Sequence, residues 1–205
     1  MHSGQIAGEI ATFTSDRPAA VGEEQLVWRS DDDNNVEDWS SDGRFLLTHD
    51  TKTFSIIPVT GNSKPKALYS STSIKDEFHL SPDGQLIAYG DNSTGRWEVY
   101  VASFPSFHNI TQVSVAGGAQ PRWRGDGREL FFIDVAGKMM TAAVERESPP
   151  QIGTPRKLFD TGLIPDPTIN QYSVTPDGRK FLVLEARKGF NENYSVVLNW
   201  PATVK

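Results

Sequence analysis

Apolar positions in this chain come in short bursts. Arg44–Thr48 (RFLLT), Gln85–Tyr89 (QLIAY), Trp97–Ala102 (WEVYVA), Glu129–Ile133 (ELFFI) and Lys180–Leu184 (KFLVL) are examples between Trp39 and Trp200. Aromatic and β-branched residues dominate these runs, and Gly, Pro, Asp or Ser residues bound each one. No stretch sustains a helical period, so the pattern predicts an all-β fold.

Four segments repeat one pattern: Asp38–Thr48 (DWSSDGRFLLT), His79–Tyr89 (HLSPDGQLIAY), Arg122–Ile133 (RWRGDGRELFFI) and Ser173–Leu184 (SVTPDGRKFLVL). Each has an apolar residue (Trp39, Leu80, Trp123, Val174), two linking residues, Asp-Gly, and an apolar strand. The aspartates Asp42, Asp83, Asp126 and Asp177 are spaced by 41, 43 and 51 residues. Strands repeating at that period are the signature of a β-propeller with four-stranded antiparallel blades. Asp suits the turn because its carboxylate bonds nearby backbone amides, and Gly accepts positive φ. Pro82 and Pro176 preset φ at the first corner. Because the four aspartates share a turn position, the pattern assigns them to structure and not to an acidic catalytic set.

The template reads out blade by blade. A first blade covers 37–70, with strands Glu37–Ser40, Arg44–Thr48, Thr53–Val59 and Lys66–Ser70. The second covers 77–115, with Phe78–Ser81, Gln85–Gly90, Trp97–Ala102 and Ile110–Val115. The third covers 121–160, with Pro121–Arg124, Glu129–Ile133, Lys138–Val144 and Arg156–Asp160, and a Pro-rich connection at Ser148–Pro155. The last, 171–205, holds Gln171–Thr175, Lys180–Glu185 and Tyr194–Trp200 and lacks a fourth strand. Residues 1–36 form a partial blade within one propeller domain spanning 1–205. Glu24–Ser30 (EQLVWRS) occupies an outer-strand position and could complete the last blade of a closed four-bladed ring. Glu9–Thr14 (EIATFT) reads as a further strand, and on that reading the chain is the C-terminal portion of a larger propeller, the arrangement favoured here.

Composition narrows the function classes. Twenty basic residues against 26 acidic ones leave a net charge of −6. That balance argues against a nucleic-acid partner, which needs a basic face to displace counterions. No apolar run reaches the length of a membrane span, so the chain is expected not to insert itself. Nor does Met1–Ile10 (MHSGQIAGEI) have the basic start and apolar core of a signal peptide. The absence of cysteine excludes disulfides, thiolate metal sites and cysteine nucleophiles.

The turns Ser81-Pro82-Asp83-Gly84 and Thr175-Pro176-Asp177-Gly178, with the strands after them, resemble those of the TolB-like (WD-repeat-like) β-propeller family. Gly22–Leu47, Leu80–Tyr100, Gly117–Phe132 and Ser195–Pro201 further resemble the propeller that follows a serine/threonine kinase and a membrane span in certain soil bacteria. The family's Ser-Pro is replaced by Ser40-Ser41 in the first repeat and Arg124-Gly125 in the third, which weakens those turns individually. The resemblance implies a non-enzymatic sensor or protein-interaction platform on the outer side of the cytoplasmic membrane. It carries no kinase activity here, since the Gly-rich loop, strand lysine, catalytic-loop Asp and Asp-Phe-Gly site are all missing.

Candidate chemistry is thin. Leu158–Gly162 (LFDTG) contains the Asp-Thr-Gly of aspartic proteases, but Asp160 is a single copy at the end of an outer strand, and that chemistry needs two aspartates. No Gly-x-Ser-x-Gly elbow occurs. His2, His49, His79 and His108 are the only imidazoles; His49 and His108 lie in or beside turns and His79 on an inner strand, which suits surface or packed residues. Asp31-Asp32-Asp33-Asn34-Asn35 puts oxygen ligands at alternate positions but lacks the glycine and distal glutamate of a calcium loop, so it reads as a solvated inter-blade loop. Ser40–Gly43 only superficially matches a sialidase Asp-box. Asn92, Asn109 and Asn193 begin formal glycosylation sequons. No catalytic residue, cofactor or metal is therefore expected, and the chain reads as not an enzyme. The alternatives are the accessory propeller of a peptidase or glycan-processing enzyme, or a self-contained structural propeller.

Recognition is expected on the inter-blade loops Asp31–Val36, Ser71–Glu77, Ala116–Gln120 and Leu163–Asn170, because loops on a rigid scaffold usually carry it. The expected partner is a protein or peptide. An unclosed blade would also leave an edge prone to self-association.

Overall fold

The computed structural model describes residues 8–13, 24–30, 35–50, 52–59, 64–73, 75–145, 149–166, 169–186 and 194–196. Every regular element among them is a strand, and no helix is present that could cross a membrane. The chain divides into two compact units, Met1–Thr72 and Ser73–Lys205.

In the first unit, β1 (Gly8–Phe13) pairs antiparallel with β2 (Glu24–Ser30), with a register shift between Ile10 and Ala11. These are the two strands expected before the first repeat. The first full blade is a four-stranded meander of β3 (Asn35–Trp39), β4 (Phe45–His49), β5 (Thr53–Pro58) and β6 (Lys66–Ser70). Leu46, Leu47, Phe54 and Ile57 are buried in it, which is what the apolar runs of its middle strands require.

The second unit begins with the blade β7 (Lys75–Leu80), β8 (Leu86–Asp91), β9 (Glu98–Ser103) and a two-residue β10 (Thr111–Gln112). The third blade is β11 (Gly118–Trp123), β12 (Glu129–Asp134), β13 (Lys138–Glu145) and β15 (Arg156–Asp160). Its Pro-rich connection contributes β14 (Gln151–Ile152), which pairs with Val144 and Glu145 at the far end of β13. The last blade shows β16 (Tyr172–Val174), β17 (Phe181–Ala186) and β18 (Tyr194–Val196).

The third blade explains how period-two patterning builds the stack. Leu130, Phe132, Ala142 and Val144 face the second blade and pack on Leu86, Val99 and Val101. Phe131, Ile133, Met139 and Phe159 face the other way, onto Tyr172, Phe181 and Val183 of the last blade. Phe181 stands edge-on to Phe131 at 5.1 Å between ring centres and to Phe159 at 5.2 Å. A strand buried on both faces has to be apolar there, and Leu130–Ile133 (LFFI) is.

Each inner strand ends in the same turn. Gly43, Gly84, Gly127 and Gly178 donate their N–H groups to the carbonyls of Ser40, Ser81, Arg124 and Thr175, at 2.7 to 2.8 Å, with φ between +66° and +71°. The aspartate one residue earlier accepts the N–H two residues on: Arg44, Gln85, Arg128 and Arg179. In three copies a hydroxyl closes the set. Ser40, Ser81 and Thr175 donate to that aspartate and accept the N–H of Phe45, Leu86 and Lys180.

The third copy departs, and the structure gives the reason. Gly125 stands where the second and last repeats have Pro82 and Pro176, and its N–H donates to Pro176 O of the neighbouring blade's turn at 2.8 Å. Proline has no N–H, and a Cβ at this position would lie 2.7 Å from that same oxygen. The substitution that weakens this turn locally joins it to the next one.

Candidate functional site

At the opposite end of the blades the repeat carries a second, polar device. Six residues before each turn aspartate stand Val36, Glu77, Gln120 and Gln171. Glu77 and Gln120 lie at bulges in β7 and at the same point of β11, with φ of 57° and 61°. A left-handed backbone at a non-glycine residue needs compensation, and here the bulge aims a long polar side chain at the next blade.

The side chains form a relay across the second unit. Glu77 Oε2 accepts the Gln120 N–H at 2.5 Å, and Gln120 Oε1 accepts the Gln171 N–H at 2.8 Å. Gln120 Nε2 donates to Gln171 Oε1 at 2.7 Å and to Asp166 O at 2.8 Å. Gln171 in turn accepts the Asp166 N–H at 2.8 Å and donates to Ile164 O at 3.0 Å. Gln120 is fully buried, and the Tyr172 hydroxyl donates to its carbonyl at 2.8 Å. Burial pushes the Tyr172 phenol far above its ordinary range, with Arg122 opposing and Glu77 reinforcing the shift, so it acts only as a neutral donor.

A buried carboxylate fixes the neighbouring loop in the same manner. Glu98 is 1% exposed and accepts from Arg96 Nε at 2.8 Å and from Gly117 N–H at 2.9 Å. The Ser114 hydroxyl also donates to it, while accepting the Val99 N–H at 2.9 Å. At the base of the blade, Lys75 pairs with Asp91 at 2.6 Å, both of them buried. Burial raises the Asp91 carboxyl, but the bonds from Lys75 and the Ser93 N–H outweigh it and hold the group below its usual range.

These polar anchors hold apolar side chains out in solvent. Val115 lies between Ser114 and Gly117 and is 76% exposed; Ile164 is 88% exposed, although Gln171 grips its carbonyl. Val135 and Ile169 are also exposed, at 56% and 52%. All four belong to one end of the strands, since Gly118 pairs with Asp134 and Lys138 with Asp160. Of the six exposed large apolar side chains described in the second unit, only Ile110 and Leu182 lie elsewhere, so the exposure is concentrated.

Beside the relay, Arg122 on β11 projects from the inner strand. Nη1 donates to Pro121 O at 2.8 Å, another terminal N–H reaches Asn170 Oδ1, and the guanidinium lies 6.0 Å from the Tyr172 ring centre. His79 on β7 is close enough to feel it. Burial and then the Arg122 charge push the imidazole down to about 3, so it is neutral near pH 7. Trp123 ties the same two strands by donating Nε1–H to His79 O at 2.9 Å.

The residues weighed as catalysts fall elsewhere. Asp160 is exposed at the end of β15 and pairs with Lys157 at 2.5 Å. His49 is buried against Glu37, 3.0 Å from Nδ1 to Oε1, while His108 is exposed. Asp42 and Asp177 are held below the usual carboxylate range, Asp42 chiefly by the Arg44 N–H and Asp177 chiefly by the Thr175 hydroxyl, as structural turn acceptors are. His2, Asn193 and the Asp31–Asn34 run lie outside the described residues. Asn92 and Asn109 sit on turns. Three of the expected recognition loops contribute to the relay: Ser71–Glu77 through Glu77, Ala116–Gln120 through Gln120, and Leu163–Asn170 through Ile164 and Asp166. The sequence signal for it was the polar residue six places before the turn aspartate in the last three repeats, on a strand otherwise scanned for apolar alternation.

No protein-family model matches the chain, and no curated protein is similar to it. Solved structures are. TolB from Acinetobacter baumannii superimposes with a TM-score of 0.66 at 16% identity, covering 86% of this chain and 43% of that one. The fold is that of TolB-like propellers. The Pseudomonas aeruginosa periplasmic gluconolactonase PpgL gives a TM-score of 0.56 at 18% identity, over 89% of this chain and 58% of that one. An oligogalacturonate lyase in complex with manganese gives 0.59 at 12% identity, over 88% and 52%. The chain thus spans about half the length of these structures.

Two of these neighbours are enzymes, which corrects the expectation that the chain is not one. The physical reason is that the blades supply only a scaffold. Structures that superimpose on these blades include a gluconolactonase and an oligogalacturonate lyase, so turn signals and blade pattern cannot exclude catalysis.

Proposed function

We propose that this chain is a polypeptide-binding propeller, and that its partner docks on the loop end of the blades in the second unit. The observation that carries the reading is Ile164, an isoleucine almost wholly in water on a backbone held by the Gln171 amide. An exposed apolar side chain on a loose loop can fold away; one on a pinned loop is preorganised to enter a partner's pocket. Val115, anchored through Glu98, extends the surface. The likeness to TolB-like propellers supports the reading at the level of fold. The resemblance to kinase-linked propellers extends it: the docking face would be the sensory end of a longer bacterial protein, on the outer side of its membrane.

The test is selection of a random peptide library on the immobilised chain, with Ile164→Asp as the counter-screen. Enriched peptides should carry apolar side chains and bind the variant at least about tenfold more weakly, the loss expected when a charge replaces a buried apolar anchor. Failure to enrich any peptide, or equal binding to both proteins, would refute the assignment.

A further inference from the structure

We propose that Arg122 is a carboxylate-binding residue: its guanidinium, oriented by Pro121 O, Asn170 and the Tyr172 ring, presents its remaining N–H donors to a single carboxylate from outside the chain. This goes beyond the apolar docking face and rests on that reading only where the carboxylate belongs to a peptide.

The chain as a whole is acidic, with 26 acidic residues against 20 basic. Arg44, Arg96, Arg124 and Arg156 have carboxylate partners; among the described arginines without an ion pair, Arg122, Arg128 and Arg179, it is Arg122 whose guanidinium is held by neutral partners. Among the described residues Arg122 forms no ion pair; its two bonds go to a carbonyl and a neutral amide. Glu77 shares the Tyr172 corner, but it receives the Gln120 N–H and does not pair with Arg122. The cation is nevertheless well held. The amide, the carbonyl and the ring fix the plane of the fork, so little side-chain entropy is left to lose when a ligand binds.

The charge count selects the ligand class. His79, the other basic side chain of this corner, is neutral, so one positive charge is available. A planar monoanion with two oxygens matches a guanidinium fork edge to edge. A phosphate dianion would bring a second charge that nothing here balances. The carboxylate could come from a small organic acid or from the C-terminus of a polypeptide seated beside Ile164 and Asn170.

The experiment is an NMR titration of the full chain, read at the arginine side-chain resonances. The probes are N-acetyl-Ala-Ala-Leu with a free C-terminus, its C-terminal amide, sodium acetate and inorganic phosphate. At least one carboxylate should bind, and the phosphate should bind less tightly. Arg122→Gln and Arg122→Lys should each weaken carboxylate binding about tenfold or more, since lysine keeps the charge and loses the fork. Asn170→Asp supplies the control against misfolding. It places an internal carboxylate on the guanidinium, so it should preserve or raise the unfolding midpoint while still weakening the probes about tenfold. Peptide acid binding over amide names a polypeptide terminus as the source; acetate binding without the peptide names a small acid, and both uphold the proposal. Binding by neither carboxylate, equal binding of acid and amide, or an Arg122→Gln chain that binds like the wild type overturns it. Selected peptides that depend on Ile164 and ignore Arg122 would overturn this proposal and leave the docking face standing.

Discussion

The two ends of the blades are built by opposite rules. At the turn end, four copies repeat one local arrangement, in which an aspartate accepts the second N–H ahead and glycine closes the corner. All partners lie within about one turn of chain, and no copy needs a neighbour except through Gly125. At the loop end, Glu77, Gln120 and Gln171 bond partners 43 to 51 residues away. The repeated end holds each blade together, whereas the divergent end holds blades to one another and displays what a partner can reach. Local bonds tolerate the loss of one member because water and neighbours can substitute. A buried long-range relay does not, since every broken bond leaves a polar atom dry.

That contrast can be broken most severely at Gln120. Gln120→Leu would strand the Gln171 N–H and Asp166 O together, at a cost of about 3 kcal/mol in urea unfolding. A loss within about 0.5 kcal/mol would show that the relay contributes no net stability. At the turn end, Gly125→Ala puts a methyl group against Pro176 O and should cost about 2 kcal/mol by the same assay. The replacement should loosen the third and last blades from each other, visible as faster amide exchange in β16.

A pH series separates the ends in another way. The folded pKa of His79 lies below its unfolded value, so the unfolded chain binds more protons in between. Its contribution is intact above about pH 6.5 and is lost on acidification toward about pH 3, at up to about 1.4 kcal/mol per unit. Asp91, also lowered, adds a loss that begins only below the ordinary carboxylate range of about 4. His79→Asn should flatten the slope between about pH 6.5 and about 4 and leave the acid limb in place; an unchanged slope there would assign the effect to other groups.

Smaller changes sharpen the comparison. Ser81→Ala removes a donor to Asp83 and an acceptor for Leu86 N–H, and should cost about 1 kcal/mol. The equivalent Ser40→Ala should cost the same if the turns are independent copies. Midway along β13, Thr141 buries a hydroxyl that has no hydrogen-bond partner. Thr141→Val should therefore stabilise the chain by about 1 kcal/mol in thermal unfolding, and a destabilisation would place a bound water there.

Much of this architecture could be read without coordinates. Asp42, Asp83, Asp126 and Asp177 marked every blade, and strands lie within a few residues of where the spacing put them, down to Lys66–Ser70 and Arg156–Asp160. Turn chemistry and period-two burial are properties of adjacent residues, and adjacency is what a sequence records. The relay was harder to see, because Glu77, Gln120 and Gln171 look like ordinary polar residues until bulges turn them toward the next blade. Arg122 is harder still: only the approach of β7, β11 and β16 shows a guanidinium whose partners are neutral.

By itself, then, the sequence determined the strands, their turns, the blade period and the all-β class, since each follows from interactions along a few neighbouring residues. Tertiary structure alone decided which polar side chains became buried anchors, which isoleucine stands in solvent, and where a cation lacks a matching acid. Those depend on segments more than 40 residues apart meeting across blades, as Gln120 meets Glu77 and Gln171. Burial and unpaired charge are created only when they meet.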